Sequence, residues 1–404
     1  MSATMKSITN PPPRAGGPAA LAFHAATLGT FFAASSAPTP LYRLYQQAFA
    51  FSPVLITIIF SAYAFSLLLA LLIAGSISDH LGRRPVIFVS LIGQLAAMAL
   101  FIAADGPNWL IAARIVQGLA TGIAGASMGA ALVDLDQARG PVINSIAPLS
   151  GMAIGALGTS ALVQYAPAPT QLVYAIVFVV AIVQALIIWK TPETTKPRPG
   201  LLNSLRPEVA VPSQARRSLL SITPINIGGW ALAGFYLSLV PSLVSTITGS
   251  KAPLTGGSVV AALTISGAAT VYLLRKRSGA GALSFGAPML IAGIALVIIA
   301  VHVASVPLLV AGTLVAGSGL GANFLGSLRS IMPLARPEER AGLLSAFYIQ
   351  SYLAFSLPAI GAGFLVGAVG FTYTADIYAA IVALLIGAGL LALRAGLRTV
   401  EGAA

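Results

Sequence analysis

Long apolar segments occupy most of this chain of 404 residues, and only short polar or Pro- and Gly-containing connections separate them. A helix needs about 20 consecutive apolar residues to cross the hydrocarbon core of a bilayer, and many of the segments reach that length. The segments do not alternate between apolar and polar residues at a period of two, as the strands of a membrane barrel do. The chain is therefore expected to fold as a bundle of membrane-spanning helices.

Charged residues are too few to cover the surface of a soluble protein of this length. Only 8% of the residues are Asp, Glu, Lys or Arg, 57% are hydrophobic and the mean hydropathy is +0.92, whereas soluble domains carry about 25% charged residues. This composition excludes a soluble globular enzyme. Cysteine is absent, which also excludes disulfides, cysteine-ligated zinc and thiol catalysis.

Twelve membrane helices are predicted from the apolar runs between Pro, Gly and charged residues. The predicted spans are 19–38, 53–78, 85–104, 109–133, 142–166, 171–189, 218–246, 254–274, 281–303, 307–334, 342–367 and 375–393. The connection 190–217 is polar, rich in Pro and basic, and it separates two sets of six spans. The expected regions are an N-tail at 1–18, a six-helix bundle at 19–189, a linker at 190–217, a second six-helix bundle at 218–394 and a C-tail at 395–404.

The basic residues predict the orientation of these spans. Of the 22 Lys and Arg residues, 18 lie in the two tails and the even-numbered loops, whereas the odd-numbered loops contain only Arg43 and Lys251. Because cytoplasmic loops carry an excess of Lys and Arg, both tails and the linker are expected in the cytoplasm, with the protein in the cytoplasmic membrane. The net charge of +12 then faces anionic lipid and requires no nucleic-acid partner.

The loop between predicted spans two and three contains closely spaced glycines and charges, in the pattern G-x-x-x-D-x-x-G-R-R formed by Gly75, Asp79, Gly82, Arg83 and Arg84. Glycine permits turns and close packing, and an Asp and an Arg at a boundary of low dielectric constant attract each other strongly. In pattern and position, this loop resembles the signature loop of the major facilitator superfamily. An ordinary basic loop is the alternative interpretation.

Predicted span four contains a second pattern, L-x-x-x-R-x-x-Q-G at 110–118, with Arg114 and Gln117 at its polar positions. It resembles the span-four pattern of the same superfamily. A charge within the membrane is costly unless it faces a cavity or a partner, so Arg114 is a functional candidate. The alternative is that its long side chain reaches the nearby interface. Asp134 follows 20 residues later, about 30 Å along a helix, and competes with Asp136 as the partner of the signature loop.

The resemblance implies an all-α membrane protein with twelve transmembrane helices in two six-helix bundles, the major facilitator fold, which moves a solute by alternating access. It also implies that the signature loop forms a charge network with the end of span four and the opposite half, and that this network latches the outward-open state. The residues of the expected latch are Gly75, Asp79, Gly82, Arg83, Arg84 and Asp134. Arg114 and Gln117 are expected to serve proton coupling or substrate contact.

Drug exporters of this superfamily often carry G-x-x-x-G-P-x-x-G-G in span five. Residues 151–160 match this pattern only in part, since they lack the Pro and the final Gly pair, and this weakens an antiporter assignment. The end of span one at 37–45 resembles the Pro-containing end of that span in drug exporters, although its spacing differs. A proline-terminated helix with interfacial tyrosines is the alternative.

None of the ten Asp and Glu residues lies near the middle of a predicted span. Proton-coupled transporters commonly use such a carboxylate, because burial raises its pKa towards the working range. The groups that remain for proton coupling are His24 in span one, Asp134 at a span end and a site organised by Arg114. A neutral His24 that only packs against its neighbours is the alternative.

The resemblance further implies a central cavity lined by spans one, four, seven and ten and their neighbours. Side chains on these spans provide the candidate substrate contacts, which are Asn144, Asn226, Trp230, Asn323, Tyr348 and Tyr352. Together with one cation, they favour a neutral, amphipathic or weakly anionic solute over a permanently cationic drug. Each amide could instead join two helices through a hydrogen bond.

The expected function is secondary active transport of a small organic solute, as a proton-coupled exporter of drug-like or amphipathic compounds. An importer or uncoupled facilitator of a metabolite, such as a sugar or an organic acid, is the alternative. No G-x-x-x-x-G-K-S/T loop is present, so ATP is not expected to drive transport directly. A membrane-embedded enzyme is a distant alternative, because His24, Arg114 and His302 are scattered. We expect a monomer without cofactor or metal, whose partners are its solute, membrane lipid and protons.

Overall fold

The computed structural model describes residues 17–250 and 252–401, of which residues 203 and 394–401 are described by their backbone alone. Most of the predicted N-tail, Lys251 and the last residues of the predicted C-tail lie outside this part of the chain. Within it, the secondary structure consists of helices and contains no strand, in agreement with the prediction.

Long helices alternate with a few short ones, and their bounds are α1 (Pro18–Ser36), α2 (Tyr42–Phe49), α3 (Pro53–Ala74), α4 (Ile77–Leu81), α5 (Arg83–Ile102), α6 (Pro107–Leu135), α7 (Gly140–Tyr165), α8 (Leu172–Ile187), α9 (Leu201–Ser204), α10 (Ser213–Ser238), α11 (Val240–Thr248), α12 (Pro253–Leu273), α13 (Gly279–His302), α14 (Val306–Ile331) and α15 (Arg340–Glu401). Proline stands in the first turn of α1, α3, α6, α7, α12 and α14. Its missing N–H costs nothing there, because the first backbone donors of a helix have no intrahelical partner.

Eleven helices of the described chain are long and apolar enough to cross a membrane. The last of them contains both predicted spans eleven and twelve, because α15 consists of two helices that meet at Gly370. With φ 80° and ψ 174°, Gly370 has a backbone conformation that is essentially restricted to glycine. The other observed helices match the predicted spans to within a few residues, although α10 begins at Ser213, before the predicted start of span seven at 218.

Small residues allow pairs of helices to approach closely. Gly155 of α7 packs on the backbone of Ala33 in α1, and Gly321 of α14 packs on Gly267 in α12. A Cβ atom at either glycine would collide with the backbone of the neighbouring helix. Membrane helices have little hydrophobic drive to associate, since lipid is equally apolar, so such backbone contacts supply much of the packing.

The two sets of helices contact each other through α7 with α12 and through α3 with α15. We call the end that holds α4 and the residues after α8 the linker end, and the opposite end the distal end. At the distal end, Phe60 of α3 packs on Phe355 of α15, with ring centroids 4.8 Å apart. Nearby, Thr39 follows α1, and Leu237 lies in α10. The Oγ1 of Thr39 donates a hydrogen bond of 2.9 Å to the carbonyl oxygen of Leu237. The structure is therefore closed at the distal end.

Candidate functional site

The signature loop is organised around Arg83, the first residue of α5, which is only 7% exposed. Its guanidinium lies 2.6 Å from the carboxylate of Asp79, one turn earlier, and 3.2 Å from that of Asp134 at the end of α6. Gly82 has a φ of 98°, which turns the chain sharply between α4 and α5 and is unfavourable for other residues. The structure thus places Asp134 where the spacing from Arg114 predicts it.

Glu193, which follows α8, completes this network, and sequence reasoning did not select it. Its carboxylate accepts hydrogen bonds from the backbone N–H groups of Arg83 at 2.8 Å and Arg84 at 3.0 Å. These donors form the N-terminus of α5, where the helix dipole favours a negative charge. Thr194 adds a hydrogen bond of 3.0 Å from its hydroxyl to Asp134. The available signal was a lone acidic residue directly after span six.

The network therefore contacts the linker, and the expected contact with the opposite half is not formed among the described residues. Ser76 donates to the carbonyl oxygen of Ser204 at 3.2 Å, and Nδ1 of His80 lies 3.0 Å from the carbonyl oxygen of Arg198. That contact is expected for the outward-open state, whereas this structure is closed at the distal end, so the contact stays a prediction.

The remaining residues of the expected latch have local roles. Gly75 ends α3, and the guanidinium of Arg84 lies 5.5 Å from the ring centroid of Trp189. Asp136, the competing partner, instead accepts a hydrogen bond of 2.8 Å from the backbone N–H of Arg139. This N–H lowers the pKa of the Asp136 carboxyl, and Asp136 thus binds the residue that precedes α7.

Arg114 of α6 is buried, with only 1% of its surface exposed. Its Nη1 donates hydrogen bonds of 2.8 Å to the carbonyl oxygen of Ser35 and to the side-chain oxygen of Gln117. The guanidinium also lies over the ring of Tyr63, 4.3 Å from its centroid. Among the described residues, no carboxylate lies within ion-pair distance of Arg114. The side chain is thus directed into the bundle, and the alternative in which it reaches the interface is not what the structure shows.

Gln117 continues the contact between α6 and the end of α1. Its Nε2 donates a hydrogen bond of 2.9 Å to the carbonyl oxygen of Ala34. In a continuous helix this oxygen would accept from residue 38, but Pro38 has no N–H. The pattern in span four and the proline at the end of span one are therefore structurally linked, which neither pattern reveals alone.

Aromatic side chains next to this site form a cluster that involves both halves. Trp230 of α10 lies 5.1 Å from Tyr352 and 5.7 Å from Phe355, and Tyr348 lies 6.1 Å from Tyr352, all between ring centroids. Trp230 and Tyr348 are partly exposed. Tyr63, beneath Arg114, belongs to the same packed cluster. The structure thus brings together three of the predicted substrate contacts.

The candidate amides are divided between two environments. Asn226 donates to the hydroxyl of Ser351 at 2.9 Å, and Asn323 donates to the carbonyl oxygen of Ile225 at 3.0 Å, so both join helices. Both are also fully buried. Asn144 of α7 is only partly buried and lies beside Gly129. The geometry therefore favours the interhelical role for Asn226 and Asn323, and leaves Asn144 open to solute.

The histidines differ in their surroundings. His24 of α1 is 1% exposed, and neither ring nitrogen has a hydrogen-bond partner in the described part of the chain. His302 lies at the distal end, where its Nε2 is 3.1 Å from the carboxylate of Asp376. Burial without a partner disfavours the charged form of His24 and agrees with the alternative in which it packs as a neutral side chain, whereas His302 lies beside a carboxylate at an exposed position.

Comparison with known proteins identifies the family. The sequence model of the Major Facilitator Superfamily matches residues 20–292. The chain belongs to the major facilitator superfamily. No curated protein sequence matches it significantly. The expected fold is confirmed, and the family points to a transporter rather than an enzyme.

Solved structures of major facilitator transporters resemble this one over almost their whole length. The human organic anion transporter MFSD10 (TETRAN) matches with a TM-score of 0.67 and 17% identity, over 94% of this chain and 100% of that chain. A mutant of the nucleoside transporter NupG matches with a TM-score of 0.71 and 13% identity, over 92% of this chain and 99% of that chain. At these low sequence identities, the two structures show only that this chain has the same fold.

Proposed function

We propose that this major facilitator protein exports small amphipathic organic solutes, neutral or weakly anionic, by alternating access between its two halves. The observation that carries the proposal is the buried Arg114, which has no carboxylate partner among the described residues. A guanidinium keeps its charge in a protein. Its positive potential, little screened inside the bundle, favours the entry of a carboxylate or another electron-rich group and disfavours a fixed cation.

The aromatic cluster complements this charge. Trp230 and Tyr348 expose part of their rings, and aromatic rings bind apolar and aromatic surfaces well beyond the effect of area alone. A solute with a ring and a polar or acidic group matches this combination of surfaces. One structural neighbour is described as an organic anion transporter and another as a nucleoside transporter, and both descriptions name small organic solutes.

The direction and the energy source complete the proposal. The end of span one, which resembles the Pro-containing end of that span in drug exporters, supports export, and the distribution of basic residues predicts that both tails and the linker lie in the cytoplasm. Protons are the proposed coupling ion, with His24 and Asp134 as the groups that could exchange them. The protein is proposed to work as a monomer in the cytoplasmic membrane, with anionic lipid around its basic linker end.

Uptake into proteoliposomes tests the proposal. The solutes are radiolabelled aromatic carboxylates, the corresponding amides and quaternary ammonium compounds with the same ring, each with and without a pH gradient. We expect transport of the carboxylates and amides and exclusion of the ammonium compounds. Preferred transport of the ammonium compounds would contradict the role given to Arg114. Accumulation of the solute in the cytoplasmic compartment, when the proton gradient is also directed into that compartment, would identify an importer instead.

A further inference from the structure

A cavity lies at the distal end between the two halves, and its lining includes neither Arg114 nor the aromatic cluster. It has a volume of about 280 Å³. The first half contributes to its lining the residues Pro40, Arg43 and Gln47. The second half contributes, among others, Pro241, Ser245 and Thr255. The hydrogen bond between Thr39 and Leu237, which closes the distal end, joins residues next to this lining in the chain.

Among the described residues, the lining combines the cation Arg43 with apolar and hydroxyl-bearing side chains. Arg43 is partly exposed, and its guanidinium is in no ion pair within the described ranges. The two prolines provide apolar surface, and Thr255 provides a hydroxyl group, whereas the proton of the Ser245 hydroxyl is already donated within the wall. A guanidinium binds a carboxylate through two parallel hydrogen bonds. The cavity thus has the chemistry to hold a carboxylate attached to a short apolar body.

The wall contributed by the second half is held in shape by its own hydrogen bonds. Ser245 Oγ donates to the carbonyl oxygen of Ser250 at 2.8 Å, and Ser250 Oγ accepts from the backbone N–H of Ala252 at 3.2 Å. A wall that is ordered before binding loses little conformational entropy when a ligand binds, which favours binding. The volume lies just below the roughly 300–1,000 Å³ of pockets for drug-sized ligands, which favours a smaller occupant.

We propose that this distal cavity is an inhibitory site for small organic acids on the distal side of the membrane. Because the two halves each supply part of the lining, the complete site exists only while the distal end is closed. A ligand that binds one of two states shifts the population towards that state. Occupation of the cavity therefore holds the transporter closed on the side from which the acid came, and slows its return to the distal-open state.

Spin labels on the full chain test this proposal through the distance between the two halves, without a measurement of transport. The chain has no cysteine, so the labels can be attached at Gln171→Cys and Val303→Cys alone. Both positions are exposed at the distal end, one on each half and away from the cavity. The background variant is Thr39→Ala, which lacks the hydrogen bond to Leu237 and so increases the distal-open population. The probes are benzoate and, as a neutral control, benzyl alcohol.

We expect benzoate to shift the distance distribution towards the short, closed distance, and benzyl alcohol to have no such effect. At ten times its dissociation constant, benzoate should raise the ratio of closed to open molecules about tenfold. Arg43→Gln should abolish the shift, and Arg43→Lys, which keeps the charge but not the bidentate geometry, should weaken it. Equilibrium dialysis of labelled benzoate should show the highest affinity in the protein with Arg43, a lower affinity in Arg43→Lys and the lowest in Arg43→Gln.

Three results would overturn the proposal. The first is a distance distribution that benzoate leaves unchanged, with no binding in dialysis. The second is a shift of equal size in Arg43→Gln. The third is a shift towards the open distance, which would show that benzoate acts at Arg114 and the aromatic cluster instead. Transport of an aromatic amide without added acid should be the same in Arg43→Gln and in the wild type, because Arg43 lines the distal cavity, whose lining includes neither Arg114 nor the aromatic cluster.

Discussion

Gln117 donates a hydrogen bond of 2.9 Å from its Nε2 to the carbonyl oxygen of Ala34, a bond that Pro38 cannot provide because it has no N–H. The same glutamine accepts a hydrogen bond of 2.8 Å from Arg114. One amide thus satisfies the end of α1 and positions the buried guanidinium. The residues that directly follow this end of α1 include Thr39, which closes the distal end on Leu237. Arg114 and Gln117 of α6 are therefore linked, through the end of α1, to the contact between Thr39 and Leu237 that closes the distal end.

Replacement of Gln117 by Leu should destabilise the protein and slow transport. The substitution leaves the Ala34 carbonyl without a donor, which costs about 1–3 kcal/mol for a buried group. Thermal unfolding in detergent and initial transport rates measure the two effects. Gln94→Leu is the matched control, because Gln94 is equally buried but neither atom of its amide has a partner in the described structure. Equal effects of the two substitutions would contradict the role of the contact with Ala34.

Arg114→Ala should abolish transport while the protein is still produced in normal amounts. The substitution removes the buried charge and the hydrogen bonds to Ser35 and Gln117. Arg114→Lys should retain only part of the activity, because an ammonium group does not reproduce the planar geometry of a guanidinium. The measurement is uptake of an aromatic carboxylate into proteoliposomes, normalised to the amount of folded protein. Full transport by Arg114→Ala would refute the assigned role.

Arg329→Ala is the corresponding control for the loss of a partly buried arginine. Arg329 donates hydrogen bonds to the carbonyl oxygens of Arg275 at 2.6 Å and Arg277 at 2.7 Å, at the linker end after α12. Its replacement should lower the unfolding temperature and leave the preference among solutes unchanged. A changed preference would show that solute selection is not specific to Arg114.

Asp79→Asn should slow the exchange between states more than it affects solute binding. The neutral amide loses the charge that faces Arg83 at 2.6 Å, which leaves Asp134 as the one carboxylate paired with this guanidinium among the described residues. Because Asp79 is 45% exposed at its side chain, the loss of stability should be small. Transport kinetics and substrate affinity measure the two effects separately. Asp136→Asn is the control, since Asp136 contacts only the start of α7, and unchanged kinetics in Asp79→Asn would count against the latch.

Local patterns predicted the spans and the position of Asp134 well, because hydropathy and helical rise depend on neighbouring residues. The same reasoning missed Glu193, whose partner Arg83 lies 110 residues earlier in the chain. That contact depends on where α8 ends and how the linker folds back, which no local pattern contains. The amides show the same limit. Nothing near Asn323 in sequence reveals that the carbonyl oxygen of Ile225 will face it.

A pH gradient should stimulate transport only moderately. In the described spans, no carboxylate lies near the middle of the membrane, and Asp376 is in an exposed pair with His302 at the distal end. A strictly coupled exchanger that moves one proton per neutral solute would accumulate it about tenfold per pH unit, since one unit corresponds to about 1.4 kcal/mol. We expect a smaller ratio in proteoliposomes. The remaining stimulation should fall in His24→Gln and persist in His302→Gln, whereas strict dependence on the gradient, or equal effects of the two substitutions, would show that protons follow another route.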